Sequence, residues 1–71
     1  MEREIKITLA AARVNAGLTQ VQAAERLGIS KATLVRWEGG KTDPSIKQAS
    51  DMADLYGVNI WNFSFAQEST N

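Results

Sequence analysis

The sequence predicts an all-α protein built as a compact bundle of five short helices. Apolar residues recur at helical spacing along most of the chain, and a serine, threonine or asparagine precedes each run, at a position suited to capping a helix. A glycine follows each of the first four runs, and the one proline lies in a loop. With 71 residues, the chain has the length of one small domain, in which each core side chain matters for stability.

The chain begins with a short extension and a first helix. Thr8 is a suitable N-cap for a helix from Leu9 to Ala16, whose alanines favour helix formation. Before it, Ile5 and Ile7 alternate with charged residues, which fits either a short extended segment or a frayed terminus. We expect a single domain over residues 1–71, with its core at about 8–65, an N-terminal extension at 1–7 and a disordered polar tail at 66–71.

Two short helices joined by a tight turn are expected over residues 20–39. Thr19 and Gln22 have the spacing of a capping box, in which two side chains satisfy backbone amides that helix starts leave unpaired. Gly28 ends this helix, and Ser30 starts the next. The apolar residues predicted to hold both helices to a common core are Val21, Ala24, Leu27, Ile29, Leu34 and Trp37. The pattern is that of a helix-turn-helix unit, whose second helix can lie in a DNA major groove, although a plain helical hairpin would have the same turn.

A salt bridge is expected between the first and third helices. Arg13 lies one helical turn after Leu9, on or beside the buried stripe of the first helix, where it needs a partner. Glu38 follows the apolar Trp37 at the end of the third helix, where the helix dipole disfavours a carboxylate unless it is paired. We predict a semi-buried Arg13–Glu38 bridge; the alternative is two unrelated exposed charges, which would contribute little.

A fourth helix is expected over Ile46–Tyr56, because Ser45 and Gln48 form a second capping-box pattern in front of it. Asn59 can cap a fifth, short helix over residues 60–63. The inward stripe of the fourth helix is predicted to contain Ile46, Ala49, Met52, Ala53 and Tyr56.

The last part of the chain has more apolar side chains than one short turn can bury. The crowded residues are Val58, Ile60, Trp61, Phe63 and Phe65. Monomeric proteins rarely expose a large contiguous apolar patch, and a second copy of the chain is the simplest cover. We therefore predict a dimer interface that contains Trp61, Phe63 and Phe65, with Trp61 and Phe65 the most exposed in a monomer.

The composition argues against catalysis. The chain has no cysteine and no histidine, so it lacks thiolate ligands, disulfides, the usual general base and the commonest metal ligand. We predict that the protein is not an enzyme and has no metal site, cofactor or evident small-molecule ligand. No apolar run reaches the roughly 18 residues of a membrane span, and the start lacks the apolar region of a signal peptide, so a cytoplasmic protein without membrane contact is expected.

Charge is unevenly distributed along the chain. Eight basic and eight acidic residues give a net charge of zero, which argues against indiscriminate binding of polyanions. Between residues 31 and 47, however, four cations occur with only two acids. Within that region, Gly39 and Gly40 permit close approach to another surface, while Lys41 and Thr42 supply a charge and a hydroxyl. We expect this loop to contact phosphates, the alternative being a flexible connector.

The segment LTQVQAAERLGISKATLVRWEGGKTDPS, residues 18–45, resembles the helix-turn-helix of the phage repressor and Cro family, also called XRE-family regulators. The most specific parts are Leu-Thr-Gln at 18–20, Ala24, Leu-Gly-Ile-Ser through the turn at 27–30, and Trp-Glu-Gly-Gly-Lys at 37–41. The resemblance covers roughly residues 8–63. It implies a lambda repressor-like domain of five helices that binds operator DNA, usually as a two-fold homodimer on a palindromic site.

The resemblance also implies residue roles. It places Lys31, Ala32, Thr33 and Arg36 against base edges, and Gln20, Gly40, Lys41 and Thr42 against phosphates. Lysine and arginine suit guanine O6 and N7, whereas Ala32 and the methyl group of Thr33 suit a thymine methyl. Arg13 and Glu38 match a pair that is commonly an internal salt bridge in the family.

These observations favour a sequence-specific DNA-binding transcriptional regulator, of repressor type, with residues 31–38 as its recognition helix. Several relatives read bases with glutamine or asparagine where this chain has Lys31 and Ala32, so its operator is expected to differ from theirs. The short chain favours a Cro-like or other small phage, plasmid or bacterial regulator. The alternative is a protein-interaction module, antitoxin-like or anti-repressor, that keeps the fold and binds a protein through its aromatic C-terminus.

Overall fold

Four α-helices, one turn of 3₁₀-helix and a two-stranded sheet make up the fold. The computed structural model describes residues 6–65, so the predicted polar tail and Ile5 lie outside the described residues. The elements in chain order are β1 (Ile7–Thr8), α1 (Leu9–Asn15), α2 (Gln20–Leu27), α3 (Lys31–Glu38), α4 (Ile46–Tyr56), the 3₁₀ turn (Ile60–Asn62) and β2 (Phe63–Ser64). The prediction of five helices is therefore corrected, because the fifth is a single 3₁₀ turn that passes directly into β2.

All four α-helices begin at the predicted side-chain caps, and both capping boxes are complete. At the start of α2, the amide of Gln22 donates to Thr19 Oγ1 at 3.1 Å, and the amide of Thr19 donates to Gln22 Oε1 at 2.9 Å. Ser45 and Gln48 make the same pair of bonds at the start of α4. The caps are local interactions between residues three apart, which is why the sequence alone predicts them.

The four helices also end in one common way. A glycine with positive φ follows each helix, at positions 17, 28, 40 and 57. The amide of the next residue then donates to the carbonyl five positions back, as Ile29 does to Ala24 at 3.0 Å. After α1, α2 and α4 that next residue is apolar and packs against the core, namely Leu18, Ile29 and Val58. After α3 it is Lys41, which is exposed.

The core lies where the four helices meet. Its largest fully buried side chains are Leu34, Met52 and Phe63, and small alanines fill the places where helices approach closely. The buried core residues are Leu9, Ala12, Ala23, Ala24, Leu34, Trp37, Met52, Ala53, Tyr56 and Phe63.

Two predicted core residues are exposed. Ile46 is 81% exposed because it is the first residue of α4, and its side chain projects beyond the end of the core that Ala49 begins. Val21 is half exposed because the inward face of α2 follows the i, i+3, i+4, i+7 spacing from Gln20 to Leu27, which turns Val21 outward. Both assignments to the core were wrong.

The short sheet joins the two ends of the described chain. Ile7 in β1 pairs in parallel register with Phe63 in β2, and Thr8 pairs with Ser64. Residues 7–8 are thus an extended segment rather than a frayed end. Phe63 is 1% exposed and meets the ring of Phe65 edge to face at 6.1 Å. Its predicted place in a dimer interface is therefore corrected, since Phe63 belongs to the core of one chain and has no free surface.

The described helices are too short and too polar to be membrane spans. Over residues 6–65, none has both the length and the sustained apolar character that a bilayer crossing needs.

Candidate nucleic-acid interface

The second and third helices form the predicted helix-turn-helix unit. Gly28, with φ of 72°, lets the chain reverse after α2, and Ser30 caps α3 immediately afterwards. Ile29, between them, is partly buried against the core and fixes the turn. On α3, Leu34 and Trp37 are buried, so the helix is held by one side and presents the other to solvent.

The exposed side of α3 is formed by Lys31, Ala32, Val35 and Arg36, which we call the reading face. These residues follow the i, i+1, i+4, i+5 spacing of one helix face. Three of the four predicted base-contacting residues therefore lie together. Val35 was missed by sequence reasoning, although its position four residues after Lys31 and three after Ala32 is a sufficient signal.

Thr33 lies at the edge of the reading face and takes part in the cap of α3. Its amide donates to Ser30 Oγ at 3.1 Å, and Ser30 Oγ in turn donates to Thr33 Oγ1 at 3.0 Å. The side chain is only partly exposed. Thr33 Oγ1 accepts the bond from Ser30, so the hydroxyl hydrogen and the methyl group of Thr33 are left for any contact outside the protein.

Behind the reading face, the structure brings the predicted pair Arg13 and Glu38 together. Arg13 Nε donates to Glu38 Oε2 at 2.7 Å, and Nη2 donates to Oε1 at 3.2 Å. Arg13 Nη1 also donates to the carbonyl of Leu18 at 2.9 Å, which ties the pair to the α1–α2 connection. The two side chains are only 12% and 6% exposed. This bidentate, hydrogen-bonded geometry is the one in which a partly buried ion pair contributes most.

The bridge has electrostatic consequences for the site. The hydrogen bond to Glu38 raises the pKa of Arg13, while burial acts in the opposite direction. The Arg13 guanidinium therefore stays charged. Because the Glu38 carboxylate is paired with Arg13 inside the protein, it does not place a negative charge on the surface that α3 presents.

Gln20, a predicted phosphate contact, joins the same network. Its Nε2 donates to Glu38 Oε1 at 3.0 Å, so the first residue of α2 braces the last residue of α3. An amide nitrogen carries two hydrogens, and this bond uses one of them. The second hydrogen is the one that a phosphate contact would use, and that contact stays a prediction.

The backbone of the loop after α3 makes hydrogen bonds back to that helix. The amide of Gly40 donates to the carbonyl of Trp37 at 3.2 Å, and the amide of Lys41 donates to that of Arg36 at 3.0 Å. These two bonds close the end of α3, and the contact of Gly40 with a phosphate stays a prediction. The side chains of Lys41 and Thr42 remain exposed beside it.

Three exposed cations lie on α3 or in the loop after it. Within residues 6–65, Lys31, Arg36 and Lys41 have no ion-pair partner, whereas Lys47 lies 3.1 Å from Asp51. Lys31 and Arg36 belong to the reading face, and Lys41 lies in the loop that follows α3. The described part of the chain contains no group of three acidic side chains arranged to hold a metal ion. The three cations make this surface suited to binding a polyanion.

Comparisons with known proteins agree with this geometry. A family model described as helix-turn-helix matches residues 9–60. An uncharacterized HTH-type transcriptional regulator of Methanocaldococcus jannaschii is 46% identical over 43 residues, which cover 61% of this chain and 65% of that protein. The chain thus spans just under two thirds of the length of that relative.

A second relative is aligned over a longer stretch. An uncharacterized HTH-type transcriptional regulator of Archaeoglobus fulgidus is 35% identical over 57 residues, which cover 79% of this chain and 80% of that protein. No solved structure matches the chain significantly. With most of its length matched by the family model and by this relative, the chain belongs to the XRE family of helix-turn-helix proteins, a family of transcriptional regulators.

Proposed function

We propose that the protein is a sequence-specific DNA-binding repressor of transcription that inserts α3 into the major groove. The observation that carries this proposal is the reading face, on a helix that is fixed to the core. There Lys31 and Arg36, which have no ion-pair partner within residues 6–65, flank two apolar residues. The two relatives named as transcriptional regulators support it. Repression follows most simply, because occupation of an operator needs nothing beyond the interface itself.

Each polar group on this surface has a partner of matching chemistry in DNA. Lys31 and Arg36 donate to O6 and N7 of guanine in the major groove. The Lys41 ammonium and the Thr42 hydroxyl contact phosphates beside it, and Gln20 donates its free amide hydrogen to a phosphate oxygen. Phosphate contacts set the position of α3, and the reading face sets the sequence preference.

The active form that we propose is a homodimer on a palindromic operator. Ile46 and Trp61 are 81% and 80% exposed and border an apolar groove of about 680 Å³ that also contains Pro44 and Phe65. Burial of this groove against a second copy removes a large exposed apolar area from water. A two-fold dimer presents two reading faces to successive major grooves, about 34 Å apart.

Selection of bound duplexes from a random pool tests the proposal. We expect enrichment of an inverted repeat with half-sites about one helical turn apart, and a guanine in each half-site whose preference is lost in Arg36→Ala. Arg26→Ala, which removes an exposed arginine on α2, is the matched control and should keep the full motif. Folded protein that enriches no motif would reject the proposal.

One observation favours a second candidate function, binding to a different protein. The exposed pair Ile46 and Trp61 would serve a heterologous partner as well as a second copy. Sedimentation separates the two: self-association at micromolar concentration that is lost in Trp61→Ala supports the homodimer. A strict monomer that also enriches no DNA motif supports the protein-interaction module.

A further inference from the structure

We infer that Val35 is a specificity-determining residue that recognises the C5-methyl group of a thymine at the centre of each half-site. The inference rests on the proposed function and assigns a base preference to an apolar residue. Val35 is 42% exposed on α3, where it lies one turn after Lys31 and directly before Arg36. It belongs to the reading face and is not among the residues of the core cluster or those packed against it.

Val14 and Val21 are exposed valines as well, and what distinguishes Val35 from them is its place on the reading face. On an exposed helix face, valine is a poorer helix former than alanine, lysine or arginine, because its branched side chain loses rotamer freedom against the preceding turn. An apolar side chain that stays exposed to water also contributes no hydrophobic stabilisation. Val35 is therefore a local cost to α3, and contact with an external apolar group would offset it.

The neighbours of Val35 define the shape of the contact. Ala32 and Lys31 precede it by three and four residues, so their Cβ atoms lie beside its own on the helix surface. Because the alanine side chain is short, α3 can approach a base edge closely at that point, and the methyl groups of Val35 project further from the helix than that of Ala32. Its single favoured rotamer keeps those methyl groups in place, with little entropy to lose on binding.

The chemistry of the major groove selects the partner. Guanine, adenine and cytosine present hydrogen-bond donors or acceptors there, whereas thymine alone presents a methyl group. An apolar side chain placed against a donor or acceptor strips it of water and leaves it unpaired, which is unfavourable. The methyl groups of Ala32 and Val35 thus suit thymine methyl groups. Lys31 and Arg36, on either side of them, suit the polar edges of neighbouring guanines.

Deoxyuridine provides the sharpest test, because it differs from thymine only by the missing methyl group. Starting from the selected duplex, each thymine is replaced singly, and binding is measured by fluorescence anisotropy for the unaltered protein, Val35→Ala and Val14→Ala. Val14 is an exposed valine on α1, away from the reading face, and is the matched control. Neither substitution removes a buried side chain, so both variants should fold.

We expect deoxyuridine at one thymine of each half-site to lower the affinity of the unaltered protein and of Val14→Ala by roughly fourfold, the value of one methyl group removed from an apolar contact. In Val35→Ala the same replacement should have less than about half that effect, so that the two changes are coupled in a double-mutant cycle. This pattern at a single thymine would establish the contact.

Two results would overturn the inference while leaving the proposed function intact. One is an enriched motif in which no thymine is sensitive to deoxyuridine. The other is a sensitivity that is equal in Val35→Ala and in the unaltered protein, which would assign the methyl contact to a different residue. Failure to enrich any motif is a third, distinguishable result, and it would reject the proposed function together with this inference.

Discussion

Arg13 on α1 reaches Glu38 at the end of α3, with 2.7 Å between Nε and Oε2. Gln20 on α2 donates to the same carboxylate, so one acidic group fixes the relative positions of three helices behind the reading face. The carboxylate sits at a helix C-terminus, where the dipole disfavours it, and the arginine removes that penalty. The network therefore fixes the orientation of α3 relative to α1 and α2.

Arg13→Ala should lower the free energy of unfolding by about 3 kcal/mol, because it leaves the Glu38 carboxylate buried without its partner. Arg26→Ala removes an exposed arginine and should cost less than about 0.5 kcal/mol. Urea denaturation monitored by circular dichroism measures both. Equal small losses would show that the Arg13–Glu38 bridge contributes no more than a surface pair.

Gly28→Ala should destabilise the protein by roughly 1 to 2 kcal/mol through the backbone alone. Gly28 has φ of 72°, yet a Cβ there would meet no atom within 4 Å, so crowding contributes nothing. Gly28→Asn is the matched control, because asparagine tolerates the left-handed region better and should recover part of the loss. If alanine and asparagine cost the same in thermal denaturation, the conformation is not the cause.

Local features of the fold follow from the sequence because their causes are local. The caps, the capping boxes and the glycine at each helix end depend on residues at most five positions apart, as in Ile29 and Ala24. Phe63 shows the opposite case. Its burial depends on pairing with Ile7 at the far end of the chain, which no nearby pattern reveals. Ile46 was likewise misplaced, since the helix stripe continues through it while the core does not.

Some features of the candidate site could likewise be predicted from the local sequence, and others could not. The positions of Lys31, Ala32 and Arg36 on one face follow from helical spacing, and the need of Arg13 for a partner follows from its place beside the buried stripe. The hydrogen bond from the Gly40 amide back to α3 was not predicted, because the two glycines were interpreted only as permitting close approach to another surface.

Tyr56 should make stability depend on pH in the alkaline range. Its hydroxyl is buried, has no hydrogen-bond partner within residues 6–65, and has its pKa raised to about 12 by burial and by the Glu38 carboxylate, against the effect of Arg13. An unfolded tyrosine has a pKa of about 10, so the folded protein holds this proton more tightly. The contribution is complete below about pH 10 and is lost as the pH rises toward 12.

Tyr56→Phe is the matching variant for this prediction. It should change stability little at neutral pH, because the hydroxyl that it removes makes no hydrogen bond in the described structure. Between about pH 10 and 12, its unfolding free energy should fall less steeply than that of the unaltered protein. Both proteins contain the same lysines, so the difference isolates Tyr56. Parallel curves would exclude Tyr56 as the titrating group.

Truncation of Phe63 and of Trp61 to alanine should affect different properties, the first the stability of the monomer and the second self-association. Phe63→Ala should cost about 3 to 5 kcal/mol in unfolding free energy, because it opens a cavity in the core. Trp61→Ala should leave the unfolding of the monomer nearly unchanged and should weaken self-association, as measured by sedimentation equilibrium across a concentration series. A dimer whose stability is unaffected by Trp61→Ala would place the interface elsewhere on the protein.

Lys41→Ala should weaken binding to all DNA sequences alike. It should reduce the slope of log K against log salt by about 2 for the homodimer, since each protomer loses one phosphate contact worth about 1. Lys41 is the one residue after a positive-φ glycine that is charged, where the other three helices place Leu18, Ile29 and Val58 in contact with the core. Its side chain is therefore free for an external phosphate. Lys47→Ala is the control, because Asp51 already neutralises that lysine at 3.1 Å. An unchanged salt slope in Lys41→Ala, or a change at one base position only, would contradict a phosphate contact there.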